Sequence, residues 1–214
     1  MKRSKTLQAH QLKRYSPEGI VAFSYIDEPD YEYHKELGEY QISLLIKAEQ
    51  IGSLKDDIDL LIAGIKAEVR SNSIPKESYP YEILHSGTVQ KYADITGLEG
   101  SAGDMLLKAR TKAHFKDKQT GLLKPNPIKC FDDKGNLMEQ KQVSLAYRGS
   151  EAKVLFNLFG WNFGGKVGCR VSLFEVHFSN VLTQEEFLQN KVEAKQKEGF
   201  QPSNLDRGEY GLNK

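Results

Sequence analysis

The sequence predicts an all-β core to which helices have been added. Its 214 residues contain five or six short runs rich in β-branched and aromatic residues, separated by turn-forming segments. Only two segments have helical spacing of apolar residues, one in mid-chain and one near the C-terminus. Strands of this number and length are typical of a small barrel or sandwich around one core.

Composition is ordinary overall, but charge is uneven along the chain. The formal net charge is +1 at pH 7, with 39% hydrophobic and 28% charged residues, as in soluble globular proteins. No apolar run approaches the ~18 residues of a membrane span, and the start lacks a secretory apolar stretch, so an intracellular protein is expected. The uneven segments are 1–14 (five bases, no acid), 27–39 (six acids, one base) and 105–130 (seven bases, one acid).

The first half of the chain predicts an arm, two strands and a helix. Residues 1–18 have no apolar period and are predicted to be a basic arm, while 19–26 and 39–46 predict strands joined by an acidic loop. Ser53 begins the strongest helix and is expected to cap it, with Asp56 completing a box-like pattern. The apolar face of this helix, expected to pack on a sheet, comprises Leu54, Ile58, Leu61, Ile62, Ile65 and Val69.

The second half predicts four strands and a second helix. Residues 71–104 contain two prolines and four glycines and are interpreted as irregular, with one short strand. Thr183 begins the second helix, and Glu186 completes its capping box. A main domain is therefore expected over 19–182, followed by a helix and a mobile polar tail over 183–214. The predicted strands are 105–115, 127–131, 152–161 and 167–178.

The strand at 105–115 has one basic face and one mostly apolar face. Its basic face comprises Lys108, Arg110, Lys112 and His114. Residues on the same face of a strand lie about 6.6 Å apart, which is comparable to phosphate spacing along an extended single strand of nucleic acid. A row of cations is self-repelling, and a polyanion would relieve that repulsion. The ordinary alternative is the solvated face of an edge strand, where lysines prevent aggregation.

Two aromatic residues, Trp161 and Phe163, stand at the end of a predicted strand beside a glycine-rich turn. Rings held out by such a turn could stack on bases, an interaction worth about 1–3 kcal/mol per base for any sequence. The alternative is that both rings belong to the core. Proteins that bind single strands combine a basic groove with stacking aromatics, so the two features together favour that function.

Other chemistry has weaker support. The stretch Gly160, Gly165, Lys166 nearly matches a phosphate-binding loop, but Val167 replaces the required Ser or Thr and a strand pattern follows, so nucleotide hydrolysis is rejected. The five histidines are scattered, and the sequence offers no catalytic or metal constellation. Cys130 lies in a short apolar strand-like run, and so does the other cysteine, so two buried free thiols are expected.

Several segments, taken in order, resemble the replicative single-stranded DNA-binding proteins of short-tailed, T-odd coliphages. The resemblance extends over roughly residues 20–182. No single motif is highly specific, but the ordered set is fairly specific. Its motifs are Tyr25–Ile26, Pro29–Tyr31, Gly38–Tyr40, Phe115–Thr120 and Lys153–Gly168.

This resemblance implies an OB-fold, a five-stranded Greek-key barrel, with an inserted mid-chain helix and a C-terminal helix. It implies sequence-independent binding and protection of single-stranded DNA in phage replication and recombination, without catalysis, metal or cofactor, in the cytoplasm of the infected bacterium. The DNA contacts that it implies are Lys108, Arg110, Lys112, Trp161 and Phe163, and the expected DNA-binding residues also include His114, Lys166 and Lys153.

The resemblance also implies homodimers and contacts with a phage or host polymerase and the helicase-primase through an acidic C-terminal tail. Residues 181–214 depart from that pattern, since six acids face five bases and the chain ends in Lys214. Three alternatives remain open. They are a strand-annealing recombination factor that uses the basic arm, a small enzyme acting on nucleic acid, and an interaction protein with an incidental basic strand.

Overall fold

The computed structural model describes residues 13–32, 34–69 and 74–197, which form a mostly-β structure with several helices. The helices are α1 (Ser53–Glu68), α2 (Ser86–Thr96), α3 (Gln140–Val143) and α4 (Gln184–Lys197), with a 3-10 turn at Ala48–Gln50. The strands are β1 (Arg14–Tyr15), β2 (Gly19–Asp30), β3 (Glu39–Ile46), β4 (Lys76–Ser78), β5 (Tyr81–Ile83), β6 (Met105–Lys112), β7 (His114–Lys116), β8 (Leu123–Pro125), β9 (Lys129–Phe131), β10 (Glu151–Phe163) and β11 (Lys166–Asn180).

Nine of these strands form one sheet, and β7 pairs with β8 apart from it. Strand β2 pairs with β3, β3 with β6, β6 with β11 and β11 with β10, and β10 pairs in turn with β2. All these pairings are antiparallel except that between β6 and β11. The turn between β10 and β11 is Gly164–Gly165, with φ of 59° and 73°, a left-handed conformation that glycine adopts at little cost.

Helix α1 packs its predicted apolar face against the sheet. Leu54, Ile58, Ile62 and Ile65 are buried in the main core with the inward side chains of the strands. Close approach is possible at Gly160 in β10, where an added Cβ would lie 2.1 Å from Cδ1 of Ile65. Burial of side chains of this size stabilises the fold by about 1.5–3 kcal/mol each, so this face fixes α1 on the sheet.

A second, smaller cluster joins α2 and α4 to the outside of β2 and β3. Phe187 of α4 and Tyr92 of α2 pack there with Ala22 and Leu45. Helix α4 begins as predicted, because both the N–H and the hydroxyl of Thr183 donate to the carboxylate of Glu186, at 2.8 and 2.9 Å. The C-terminal helix therefore docks on its own chain.

Helix α2 occupies a segment that the sequence analysis interprets as irregular. That interpretation is wrong for residues 86–96, and β4 and β5 precede the helix. Gly87 lies in its first turn, and Tyr92 and Thr96 are its buried residues, so the apolar period is weak. Gly97, at φ 71°, ends the helix in the left-handed conformation.

Two other local predictions also need correction. Gly52, not Ser53, holds the N-cap position of α1, so the side chain of Ser53 does not cap the helix. The predicted strand 105–115 breaks at Ala113, whose N–H donates to the carbonyl of Gly38 at 3.1 Å, and His114 therefore falls in β7.

The ends of the chain are described only in part. Arg14–Tyr15, within the predicted basic arm, pairs with β10, and Arg14 forms an ion pair with Asp57 of α1. The predicted arm upstream of residue 13 and the predicted tail beyond residue 197 lie outside the described residues.

Candidate nucleic-acid interface

The basic row of β6 faces outward from the sheet, as the alternation predicts. Lys108 and Arg110 are exposed, while the alternate residues Leu107 and Ala109 are buried in the core. In the register with β3, Ser43 lies opposite Lys108 and Gln41 opposite Arg110. The central strand β6 is paired on both sides, so this is not the solvated face of an edge strand.

Strands β10 and β11 contribute aromatic rings and a further cation. Arg170 lies opposite Phe159 in the register, with its guanidinium carbon 5.6 Å from the ring centroid. Trp161 lies opposite Gly168, where an added Cβ would come within 2.5 Å of the indole. The glycine therefore lets the indole lie flat against the neighbouring strand.

These side chains line one groove of about 550 Å³, here called the main groove. It brings Lys108 and Arg110 together with Trp161, which lie far apart in the sequence. Arg170 adds a third cation, and Phe159 and Tyr79 add aromatic surface. The remaining lining residues are Gln41, Ser78, Pro80, Gly160, Cys169 and Val171.

One wall of the main groove is fixed to helix α1. The hydroxyl of Tyr79 donates to Glu77 at 2.7 Å. This hydrogen bond and, to a smaller extent, burial raise the pKa of Tyr79 to about 12. Lys66 of α1 donates to the same carboxylate at 2.6 Å. The neighbouring Tyr81 donates to Asp59 of α1 at 2.5 Å. Tyr79 is therefore a neutral phenol held in place beside the groove.

The main groove continues into a smaller one of about 300 Å³, here called the side groove. The two share Gln41 and Arg110. Phe23 and Tyr25 of β2 form an edge-to-face pair there, with ring centroids 4.8 Å apart, and both are 42% exposed. The side groove is otherwise acidic or polar, lined by Asp30, Glu32, His34 and Glu39.

The other predicted contacts lie around or away from the main groove. Lys112 is the next outward residue of β6 and is paired with Glu39. Phe163 and Lys166 lie opposite each other at the end of the β10–β11 hairpin, beyond Trp161, and Phe163 is 78% exposed. His114 is turned toward the β2–β3 connection, where its Nδ1 lies 3.2 Å from the carbonyl oxygen of Leu37.

Lys153 lies at the opposite end of β10 from Trp161. The two positions are eight steps apart along the strand, which corresponds to about 26 Å at roughly 3.3 Å per residue. Its ammonium group is 3.5 Å from Glu18, and it lines a different, open groove with Tyr15 and His177. The structure does not bring Lys153 together with the other predicted contacts.

Sequence reasoning missed Arg170, Phe159, Tyr79 and the Phe23–Tyr25 pair. The alternation that identified the basic row would also have found Arg170 and Phe159, because each lies on the outward face of its strand. Tyr79 gave no signal, since its segment carries no period. The strand that carries Phe23 and Tyr25 was predicted. Which face of that strand is exposed to solvent depends on how strands distant in the sequence pack against it.

The described residues give no support to a metal or redox site. Cys130 and Cys169 are buried free thiols, as predicted, and burial raises the pKa of each to about 12. In the described ranges, no three His, Cys, Asp or Glu residues come together as a metal site would require. Among the helices of those ranges, none has the length and apolar character needed to cross a membrane.

A groove that combines a row of cations with partly exposed aromatic rings is typical of the class of single-stranded nucleic-acid-binding proteins. A family model described as the single-stranded DNA-binding protein of bacteriophage T7 matches residues 19–178. The chain belongs to this family. The family is one of binding proteins, which is not an enzyme class.

Solved structures agree in fold. The crystal structure of gp2.5, a single-stranded DNA-binding protein encoded by bacteriophage T7, is similar with a TM-score of 0.62 at 22% identity, over 80% of this chain and 93% of that one. The single-stranded DNA-binding protein from bacteriophage Enc34, in complex with single-stranded DNA, matches with a TM-score of 0.52 at 13% identity, over 83% and 96%. A comparison with curated proteins gives no match.

Proposed function

We propose that this chain binds single-stranded DNA without sequence preference in phage DNA replication, through the main groove. The observation that carries this proposal is that Lys108, Arg110 and Arg170 line the same groove as Trp161 and Phe159. Cations hold phosphates whatever the sequence, and every base presents a face that an aromatic ring can stack on.

The register suggests that the DNA crosses the strands of the sheet. A path from β10 over β11, β6 and β3 to β2 crosses four strand spacings, or about 19 Å at roughly 4.8 Å each. Along it, Trp161 and Phe159 offer stacking surface at the β10 end, and the Phe23–Tyr25 pair offers more at the β2 end. The cations of β6 and β11 lie between these two aromatic sites.

We also propose that the strands β2, β3, β6, β11 and β10 form a five-stranded OB-type Greek-key barrel, with α1 inserted in mid-chain. The return of the pairings from β10 to β2 supports this. The division into an arm (1–18), a DNA-binding domain (19–182) and a C-terminal segment (183–214) is kept as part of the proposal. Pairing of β1 with β10 and burial of Phe187 attach the described parts of both flanking segments to the domain.

The remaining expectations are proposals that rest on the family. We propose that the protein has no catalytic activity and no cofactor, and that it acts in the cytoplasm of the infected bacterium. We propose in the same way that it forms homodimers and contacts a polymerase and the helicase-primase. Its DNA contacts are proposed to include the neighbouring Lys112, His114, Phe163, Lys166 and Lys153, outside the main groove.

A fluorescence titration with oligo-dT tests the proposed function, because Trp161 is the single tryptophan of the chain. We expect quenching on binding, with affinity that falls steeply from about 0.05 M to 0.2 M salt, as phosphate contacts require. Binding without quenching would retain the function but remove Trp161 from the site. The absence of any binding would refute the proposed function.

Replacing Phe163 with alanine tests whether stacking extends to the end of the hairpin. Phe163 is 78% exposed, so the free energy of unfolding should change by no more than about 0.5 kcal/mol. If the ring stacks on a base, oligo-dT binding should weaken by about 1–3 kcal/mol. Leu60→Ala, at a residue of α1 that is 74% exposed, is the matched control and should bind normally. Equal affinity of both variants would exclude Phe163 from the contacts.

A further inference from the structure

The carboxylate of Glu39 sits within the cation row of β6. Glu39 lies opposite Lys112 in the register between β3 and β6, and its Oε2 is 3.0 Å from Nζ of Lys112. Its Oε1 is 3.5 Å from Nη1 of Arg110, and His34 approaches Oε2 at 3.7 Å. The side chain of Glu39 is only 15% exposed. One carboxylate thus forms ion pairs with two of the cations that are expected to bind phosphate.

We propose that Glu39 is an internal counter-ion that single-stranded DNA displaces from Arg110 and Lys112, so that Glu39 limits the affinity of the groove. This inference rests on the proposed function. A phosphate bound to Arg110 would lie within a few ångströms of the carboxylate, where like charges repel strongly in a partly desolvated groove. Glu39 must therefore release the cation or remain beside the phosphate at a cost.

The surroundings of Glu39 strengthen this repulsion. Asp30 and Glu32 line the same side groove, and the guanidinium of Arg110 and the imidazole of His34 face it from there. The Phe23–Tyr25 pair, a stacking surface at the β2 end of the proposed path, is thus reached past an acidic boundary. By contrast, Lys108 and Arg170 form no ion pair with an acid in the part of the chain that the structure describes. A phosphate can therefore bind Lys108 and Arg170 without displacing a carboxylate, whereas Arg110 and Lys112 are already paired with Glu39.

A positioning role for Glu39 predicts the opposite result. If the carboxylate held Arg110 and Lys112 in the geometry that DNA needs, its loss would disorder both cations and weaken binding. Glu39→Gln keeps the size of the side chain and one acceptor oxygen while removing the charge, whereas Glu39→Ala removes the side chain's size, its acceptors and its charge. The two variants together separate competition from positioning.

The experiment is a salt titration of oligo-dT binding by the full chain and by Glu39→Gln and Glu39→Ala, between about 0.05 and 0.3 M salt. We expect Glu39→Gln to bind about tenfold more tightly at the lowest salt, since two partly exposed ion pairs no longer compete. The slope of log affinity against log salt should stay close to the native slope, because Arg110 and Lys112 contact phosphate in both complexes. Glu39→Ala should also bind more tightly.

The matched control is Glu99→Gln, which makes the same change in net charge at an exposed residue outside both grooves. Screening over about 8 Å at physiological salt should leave its affinity unchanged. The inference is overturned if Glu39→Gln binds no more tightly than the native chain, if Glu99→Gln gains as much, or if Glu39→Ala binds more weakly. A native chain that fails to bind oligo-dT would instead overturn the proposed function, and thermal unfolding confirms that each variant is folded.

Discussion

Replacing Lys108, Arg110 and Arg170 together with alanine is expected to weaken oligo-dT binding by about a hundredfold at 0.1 M salt. Each phosphate contact on a single strand contributes about 0.7 to the slope of log affinity against log salt. Loss of three contacts should therefore flatten that slope by about 2.1, which corresponds to the expected loss at 0.1 M. The measurement is a fluorescence titration with oligo-dT at four or more salt concentrations.

The matched control removes three positive charges elsewhere. Lys91, Lys134 and Lys141 are exposed residues that line neither groove, and their replacement with alanine changes the net charge by the same amount. We expect this variant to keep the native slope and to lose little affinity. If both triple variants lose the same affinity and slope, binding depends on net charge and the main groove is not the site. If the groove variant retains the native slope, its cations do not contact phosphate.

This prediction also shows how far sequence reasoning reached toward the site. The outward alternation of Lys108 and Arg110 is a local property of one strand, and the structure retains it. Arg170 belongs beside them only because β6 and β11 pair in parallel, with Ala109 opposite Val171. That register joins segments about sixty residues apart in the sequence, and no local period encodes it.

The same division holds for the fold. Strand β3 runs over Glu39–Ile46 as predicted, and the predicted apolar face of α1 is the face that packs, because both follow from local periods. Helix α2 was missed because its stability comes from packing of Tyr92 against β3 and α4, not from a strong period of its own. Glu39 was correctly assigned to a strand. Its ion pairs with Arg110 and Lys112 could not be predicted, because they depend on the register between β3 and β6.

Asp104 is a buried carboxylate whose loss is expected to reduce stability strongly. It is 2% exposed, and its carboxylate accepts hydrogen bonds from the N–H of Ser101 at 2.9 Å and of Ala48 at 3.1 Å. The ammonium of Lys47 is 3.1 Å from the same carboxylate. Asp104 thus joins the end of β3 to the loop that enters β6, two strands of the proposed binding surface.

Asp104→Ala is expected to lower the free energy of unfolding by about 3–5 kcal/mol, as measured by urea denaturation at pH 7. Hydrogen bonds to a charged group contribute about 1.5–3 kcal/mol each, and here two N–H groups and one ammonium would lose their shared acceptor. Glu99→Ala, which changes an exposed acid of the same loop, is the control and should cost less than about 0.5 kcal/mol. If both variants lose a similarly small free energy of unfolding, the hydrogen bonds of Asp104 do not stabilise the fold.

The pH dependence gives an independent check through Asp104→Asn, which keeps the shape and removes the charge. Burial alone would raise the pKa of Asp104, but hydrogen bonds from Ser101, Lys47 and Ala48 outweigh it and lower that pKa. A carboxyl with a lowered pKa stabilises the fold above its unfolded pKa of about 3.9 and loses this contribution as pH falls through the folded pKa. The stability difference between the native chain and Asp104→Asn should therefore be constant from pH 7 to about 5 and shrink below about 4.

Taking this difference isolates Asp104 from other acids that titrate in the same range. A hydrogen bond from Lys124, followed by those from the N–H groups of Thr120 and Gln119, lowers the pKa of Asp117 to about 2. That carboxyl destabilises both proteins equally on acidification, so its contribution cancels. A difference that stays constant down to pH of about 2 would mean that the pKa of Asp104 is not lowered in the folded state, and that the variant is less stable only because asparagine has one acceptor oxygen fewer. A difference that shrinks there would show that its charge holds β3 to the loop before β6.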